Sequence, residues 1–312
     1  MALTVALTGG TGFVGAALVR ELSAMGCRLR LLVRRPPVSG FPDGVEPVIG
    51  SLEESASLSR LVEGADAVVH AAGAIKAIDA TVFERVNRDG AAAMAEAAAA
   101  AGVRRFLLIS SIAARSPVLS AYAASKRAGE SECQSRFRGG LTILRPPVVY
   151  GPGDRETLPM FRAAALGIFP VPGPPEARLS FIHVADCAAA VGSALAAAEA
   201  PSGVFEIDDG KPGGHGWPEI AAALAAAVGR RVRPIAIPAP LLRLAARAAS
   251  ATARISGRPA MLRPDKINEL RHPDWVSRGP LLTEATGWRA RFALADGFRD
   301  AATWYRARGW LK

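Results

Sequence analysis

Residues 3–15 read Leu3-Thr4-Val5-Ala6-Leu7-Thr8-Gly9-Gly10-Thr11-Gly12-Phe13-Val14-Gly15, and this stretch decides the fold. Leu3–Thr8 is a short apolar run of strand type, and Gly12–Met25 carries the periodicity of a helix. Glycines at 9, 12 and 15 join the two. They permit a tight turn and a close approach of backbone to a ligand. Backbone N–H groups at a helix start then face outward, where the helix dipole favours an anion. The spacing alone is a weak signal, but its position between a first strand and a first helix predicts a pyrophosphate site. Gly9, Thr11, Gly12, Phe13, Val14 and Gly15 are its expected contacts.

Outward from this loop, strands and helices alternate. Strands are predicted at Arg28–Val33, Ala65–His70, Phe106–Ser110 and Leu141–Leu144, and helices at Arg88–Ala101 and Tyr122–Phe137. Such alternation predicts an α/β fold of Rossmann type, a doubly wound parallel sheet covered by helices. After Tyr150 the rhythm breaks at Gly151-Pro152-Gly153 and the proline-rich run from Pro170 to Pro175. The expected organisation is a dinucleotide-binding domain over 1–150, with a returning strand near 204–207. A smaller, mostly C-terminal substrate-binding lobe is expected over 151–312.

The end of the second strand selects the dinucleotide. An acidic residue there would hold the adenosine ribose 2′-hydroxyl of NAD. The sequence has Val33 followed by Arg34 and Arg35. A guanidinium suits a 2′-phosphate through charge-assisted hydrogen bonds. The expectation is NADP(H), with NAD(H) the alternative.

Chemistry is carried by Ser110-Ser111 at the end of the fourth predicted strand, and by Tyr122 and Lys126 beyond it. Four residues apart on a helix, Tyr122 and Lys126 share a face. A tyrosine with a reference pKa of about 10 is a poor base at neutral pH. A lysine ammonium one turn away favours its phenolate. In the reductive direction the same tyrosine donates a proton to a carbonyl oxygen, which the Ser111 hydroxyl would hold.

Together Thr8–Gly15, Ser110-Ser111, Tyr122-Ala-Ala-Ser-Lys126 and Arg145-Pro-Pro-Val-Val-Tyr-Gly-Pro-Gly153 resemble the extended short-chain dehydrogenase/reductases, the NAD-dependent epimerase/dehydratase superfamily. The resemblance spans about residues 1–210, and Phe181-Ile-His-Val-Ala-Asp186 continues it. It implies a catalytic triad of Ser111, Tyr122 and Lys126, with Tyr122 and Lys126 also against the cofactor. It further implies cofactor contacts at Ala71, Ala72, Gly73, Asn87, Pro146 and Val148. Ser51-Leu52 stands where the family often has an Asp-Leu pair touching adenine. The gap from Ser111 to Tyr122 is shorter than in sugar-nucleotide epimerases, and their later arginine-glycine-aspartate signature is absent. Arg34 is closer in style to NADPH-dependent ketone reductases and hydroxysteroid-type dehydrogenases. A homodimer is a further implication of the resemblance.

Composition removes other classes. Half of the 312 residues are hydrophobic and 21% are charged, which excludes general disorder. Three cysteines, Cys27, Cys133 and Cys187, form no Cys-x-x-Cys pair. They predict neither a disulfide framework nor a zinc site. His215 and His272 are lone and loop-like, with no ligand spacing. His183, in its apolar stretch, is expected to pack rather than act as acid or base. His70 ends a buried strand, where its neighbours' backbone matters more than its imidazole. No metal is expected. The chain opens on a strand without a basic leader and has no long uncharged apolar run, so the expectation is a cytoplasmic protein. All five tryptophans lie beyond residue 210, which suits a large apolar pocket or the packing of a small lobe.

The net charge of +10 is concentrated: residues 230–271 hold ten basic residues and two acids, Asp265 and Glu269, or +8. A nucleic-acid binder would spread such charge over a face with aromatics interleaved, and no nucleic acid is expected as partner. On a helix over Leu241–Arg258, Arg243, Arg247, Arg254 and Arg258 fall in a stripe roughly 60° wide, beside Leu241, Leu244, Ala248 and Ile255. Such a helix suits peripheral contact with an anionic membrane at its inner face, or plain packing of its Leu/Ala face on the lobe.

Three functions fit these features. The first is an NADPH-dependent reductase of a keto group on a hydrophobic small molecule, such as a keto-sphingoid, keto-ceramide or steroid-like ketone. The second is a nucleotide-sugar epimerase or dehydratase with bound NAD. The third is a non-catalytic nucleotide-binding regulator, which the Tyr122–Lys126 pair disfavours.

Overall fold

In a computed structural model, residues 2–35, 41–257 and 259–312 are described. Arg258 of the basic stripe lies outside the described residues, as does the side chain of Arg254. The chain forms two compact units: Met1–Arg145 with Ala188–Glu206 and Gly279–Trp288, and Pro146–Cys187 with Ile207–Arg278 and Arg289–Lys312.

The first unit is built on a parallel sheet. Its strands are β1 (Thr4–Thr8), β2 (Arg28–Val33), β3 (Val45–Ile49), β4 (Ala67–His70), β5 (Arg105–Ile109), β6 (Gly140–Arg145) and a returning strand, Gly203–Glu206. Across the sheet the order runs from the returning strand through β6, β5, β4, β1 and β2 to β3, all neighbours parallel. Strand order reverses between β1 and β4. Ligands of open α/β sheets bind at such a switch point, beyond the carboxyl ends of the strands. Here those ends carry the glycine loop and residues 71–73.

The central strands are buried on both faces, as a covered parallel sheet requires. Val5, Ala6 and Leu7 of β1 and Val68 and Val69 of β4 are inaccessible to solvent. Helices α1 (Phe13–Ala24) and α2 (Ser55–Val62), the helix Gly90–Ala100 and the helix Ala121–Arg136 supply the layers. Leu58 and Leu61 of α2 and Met94 of the alanine-rich helix share one cluster with Val68 and Phe106.

The second unit has an aromatic core. Tyr150, Phe161, Phe181 and Phe298 meet edge to face, and Tyr305 packs on Phe161 at 5.3 Å between centroids. Most of the tryptophans serve packing here. Trp217 donates to the Pro174 carbonyl, Trp275 donates to that of Glu269, and Trp304 packs edge to face on Trp310. Trp288 belongs to the first unit.

Candidate active site

Each glycine of the loop has a separate reason. Gly9 adopts φ +75°, and a Cβ there would meet the Ala72 nitrogen at 2.5 Å and the Ala71 carbonyl carbon at 2.6 Å. The turn after β1 is therefore in backbone contact with the turn after β4. At Gly15 a Cβ would stand 2.0 Å from the Gly9 oxygen, so helix α1 can approach the loop only without a side chain. At Gly12 a Cβ would meet only the Gly9 oxygen, at 3.3 Å. Gly12 and Thr11 are exposed, Phe13 and Val14 half-buried. Helix α1 starts at Phe13 with no side-chain cap and no acid in its first turn. Its first N–H groups and its dipole are thus left for an anionic ligand, and the cradle fits a dinucleotide pyrophosphate.

Beneath this cradle, Thr8 Oγ1 sits 2.8 Å from His70 Nδ1 and accepts from the Ala72 N–H at 3.2 Å. Burial holds the His70 ring neutral, pushing its pKa down to about 3. The imidazole thus ties the end of β1 to that of β4, a part the sequence reading gave more to the neighbouring backbone than to the ring.

Asn87 is buried and clamps the third wall. Its Oδ1 accepts from the Ala74 N–H at 2.8 Å, while its Nδ2 donates to the Ala74 carbonyl at 3.0 Å and to Ser125 Oγ at 2.9 Å. One amide thereby joins the turn after β4 to the helix bearing Tyr122 and Lys126. Gly73 is exposed above the same junction, where a Cβ would lie 3.0 Å from Lys126 Nζ.

The helix Ala121–Arg136 begins at a Ser120 cap, whose Oγ accepts from the Ala123 N–H at 3.0 Å. Tyr122, Lys126 and Glu130 follow at one-turn intervals. Lys126 Nζ donates to the Ile109 carbonyl at 3.0 Å. Ser110 Oγ donates to Glu130 Oε1 at 2.5 Å. Two successive residues at the end of β5 are thus fastened to two successive turns of the helix. The stripe that carries Tyr122 faces the strand end that carries Ser111.

This geometry separates the two serines. Ser110 is buried and its hydroxyl is committed to Glu130. Ser111 is half-buried, caps the turn Ile112–Arg115 by accepting from the Ala113 N–H at 3.2 Å, and keeps its own proton to donate. Tyr122 is half-buried with its ring edge to face against Phe83 at 5.8 Å. Burial lowers the Lys126 ammonium from 10.5 to about 8, against the opposing pull of the Glu130 carboxylate.

Glu130 leads to a feature the sequence reading missed. Arg145 grips it in a two-pronged pair, Nε to Oε1 at 2.8 Å and Nη2 to Oε2 at 2.6 Å. Arg145 also lies 3.7 Å from Glu206, which Arg115 holds at 3.0 Å. The available signal was an acid in the helical stripe of Tyr122 and Lys126, with an arginine closing the last strand before Pro146-Pro147.

Arg34 and Arg35 are both exposed at the end of β2. Ser51 and Leu52 follow β3. Ser51 accepts on its carbonyl from Ser57 Oγ at 3.0 Å, and Leu52 packs against Gly90. Pro146 and Val148 belong to the second unit, where Val148 opens the short strand Val148–Tyr150 paired with Phe181–His183. Among the described residues no cluster of His, Cys, Asp and Glu is arranged to hold a metal. The cysteines are buried free thiols, and burial pushes Cys133 and Cys187 up to about 12. Among the described residues no helix is long and apolar enough to cross a membrane.

Known proteins agree with this architecture. The chain is 44% identical to a ceramide reductase of Caulobacter vibrioides over 312 residues, 98% of this chain and 96% of that protein. It is 29% identical to a 4-hydroxy-2-methyl-3-oxo-4-farnesyl-3,4-dihydroquinoline-1-oxide ketoreductase of Stigmatella aurantiaca, over 66% of this chain and 68% of that one. The fold matches MoeE5, solved with UDP-glucuronic acid and NAD, at a TM-score of 0.74 and 21% identity, covering 98% of this chain and 100% of that one. Residues 5–207 match the NAD dependent epimerase/dehydratase family, and with a parallel seven-stranded sheet carrying the glycine loop at its switch point, the chain belongs to that family as an extended short-chain oxidoreductase.

Proposed function

We propose that the protein is an NADPH-dependent reductase of a keto group on a ceramide-like lipid. One observation carries the reading. The family match ends at residue 207, yet the likeness to a ceramide reductase runs over 98% of the chain. It therefore includes the later residues, and extended members of this fold vary in what they act on through such site-bearing parts rather than through the common sheet.

The cradle of Gly9, Gly12 and Gly15, the turn Ala71–Gly73 and the clamp of Asn87 would hold the dinucleotide, with Ser51-Leu52 toward its adenine. Arg34, with Arg35 beside it, would take the 2′-phosphate. Both guanidiniums are exposed where an acid would select NAD. When bound, the reduced nicotinamide supplies a hydride to the carbonyl carbon. The Tyr122 phenol gives its proton to the carbonyl oxygen, so the ketone leaves as a secondary alcohol. Ser111 donates a hydrogen bond to the same oxygen and orients it. The Lys126 ammonium, fixed by the Ile109 carbonyl, stabilises the phenolate that remains.

The test is NADPH consumption by the purified protein with a long-chain ceramide bearing a ketone on its base, with the product identified by mass. Turnover with NADPH and formation of the hydroxy product is the expected result. A protein that retains NAD through purification and converts a UDP-sugar while ignoring keto-ceramide would overturn the reading.

A further inference from the structure

The basic helix Ala239–Ser256 has two apolar faces, and the lobe covers one of them. Leu242, Ala246 and Ala253 point inward, and Leu242 and Ala246 join Ile267 in a small cluster edged by Ile237, Leu262 and Leu270. On the opposite side Leu241 is 57% exposed, Leu244 65% and Ile255 88%. Ala248, on the same side, is exposed as well. Plain packing of the Leu244 face on the lobe is thus not what the structure shows. The helix is held by a narrow strip of small and aliphatic residues, and its wider apolar side is presented outward.

Cations rim that outward side. Arg243 and Arg247 are exposed along one edge, and Arg230, Arg231 and Arg233 are exposed on the segment leading into the helix. The sequence contains no acid between Glu219 and Asp265. An ordinary solvated helix face carries mixed charges that pair along it; this one carries aliphatic side chains and a single sign. The strand before it continues the theme. Arg233–Ala236 pairs in parallel with Ile168–Val171, which sets Arg233 beside Ile168 and Ile235 beside Pro170 on one face. Ile168 and Ile235 are exposed on that face, opposite buried Phe169 and Val171.

We propose that this helix docks the protein on an anionic phospholipid bilayer. Leu241, Leu244 and Ile255 enter the headgroup–acyl boundary, and Arg243 and Arg247 stand among the phosphates. A second copy of the chain fits the surface less well. A two-fold contact through this face would bring the arginine rows of both copies together with no acid on the face to pair with them. The inference rests on this helix and the segment leading into it, and it does not depend on which substrate the site takes.

The experiment is co-sedimentation of the full chain with phosphatidylcholine vesicles, with and without phosphatidylglycerol, at low and raised salt, alongside sedimentation velocity without lipid. Wild type should pellet with phosphatidylglycerol vesicles at low salt, leave them as salt rises, and ignore phosphatidylcholine alone. Each cation near such a surface raises partitioning about five-fold, so Arg243→Gln/Arg247→Gln should weaken binding ~25-fold. Leu244→Ser/Ile255→Ser should weaken it ~10-fold or more at the same salt. Both double variants should melt like wild type, since all four side chains are exposed. Three outcomes with vesicles overturn the proposal. They are no wild-type binding at low salt, equal binding to uncharged vesicles, and unchanged binding by both variants. A lipid-free dimer that Leu244→Ser/Ile255→Ser returns to monomer also overturns it, assigning the face to a second copy.

Discussion

Replacing Arg145 with methionine strands a charge. Glu130 is 1% exposed, and without Arg145 it retains the Ser110 hydroxyl and a 3.6 Å contact to the half-exposed Arg127. Removing one partner of a buried ion pair costs about 3–5 kcal/mol, chiefly the desolvation of what is left behind. Arg145→Met should sit in that range. The reciprocal Glu130→Met should cost about 3 kcal/mol, the lower end, because Arg145 keeps Glu206 at 3.7 Å. The double variant leaves no orphan in the pair, since Arg115 still holds Glu206 at 3.0 Å. What it loses is the acceptor for Ser110, worth about 1 kcal/mol. The two single costs should therefore overcount the double by several kcal/mol, measured by urea unfolding followed by circular dichroism. Costs that add within about 0.5 kcal/mol would refute the reasoning, because additivity is the mark of independent sites. Turnover should separate from stability in the double variant: the chain stays folded while the Ser110 tether, one residue from Ser111, is gone.

Tyr122→Phe should lower turnover at least ~10²-fold with cofactor affinity nearly unchanged, checked by steady-state kinetics beside NADPH titration. Arg34→Ala should weaken NADPH binding by about 1.5–3 kcal/mol and leave NADH binding almost untouched, so equal losses for both would remove Arg34 from the 2′-phosphate. The depressed Lys126 predicts opposite slopes for activity and stability. Above about pH 8 the folded protein loses this ammonium while the unfolded chain keeps it up to about 10.5. The unfolded state then binds more protons, so this group's contribution to stability rises between those values. Over the same window kcat/KM for the ketone should fall, and a flat profile to pH 10.5 would show that the charge is not used.

The parts of the fold legible in the sequence were those set by local rules. The glycine turn, the Tyr122–Lys126 stripe and the buried strands of the sheet each follow from chain geometry over a few residues, and the observed bounds fall close to those expected. Strand β3, Val45–Ile49, was not expected. It lies at the sheet edge, contains Pro47, and exposes Glu46, Pro47 and Ile49, so it shows neither alternation nor a buried run. Its existence comes from pairing with β2, a tertiary fact. The π-helical turn Glu84–Asp89 was not expected: it precedes and only overlaps the helix start read at Arg88. That turn carries Asn87, and π turns recur at functional sites. Gly279–Trp288 belongs with the first unit although nothing periodic in it points there.

The candidate site divides along the same line. Residues that touch cofactor or carbonyl in the proposed mechanism stand in short motifs, because their chemistry needs fixed spacing along one turn or one helix face. The residues that hold them in place do not. Ser125 with Asn87, Glu130 with Arg145, and Thr8 with His70 are separated by 38, 15 and 62 positions. Each pair joins the end of one element to another, and no spacing rule links their members. Glu130 shows why such residues matter to the chemistry. Burial loosens the hold of Lys126 on its proton, and the Glu130 carboxylate opposes that effect. Glu130 is itself a buried charge, and Arg145 neutralises it. The ion pair beneath the site thus tethers the end of β5 through Ser110 and sets a carboxylate one helical turn from Lys126. There it opposes the effect of burial on the ammonium that the proposed mechanism uses.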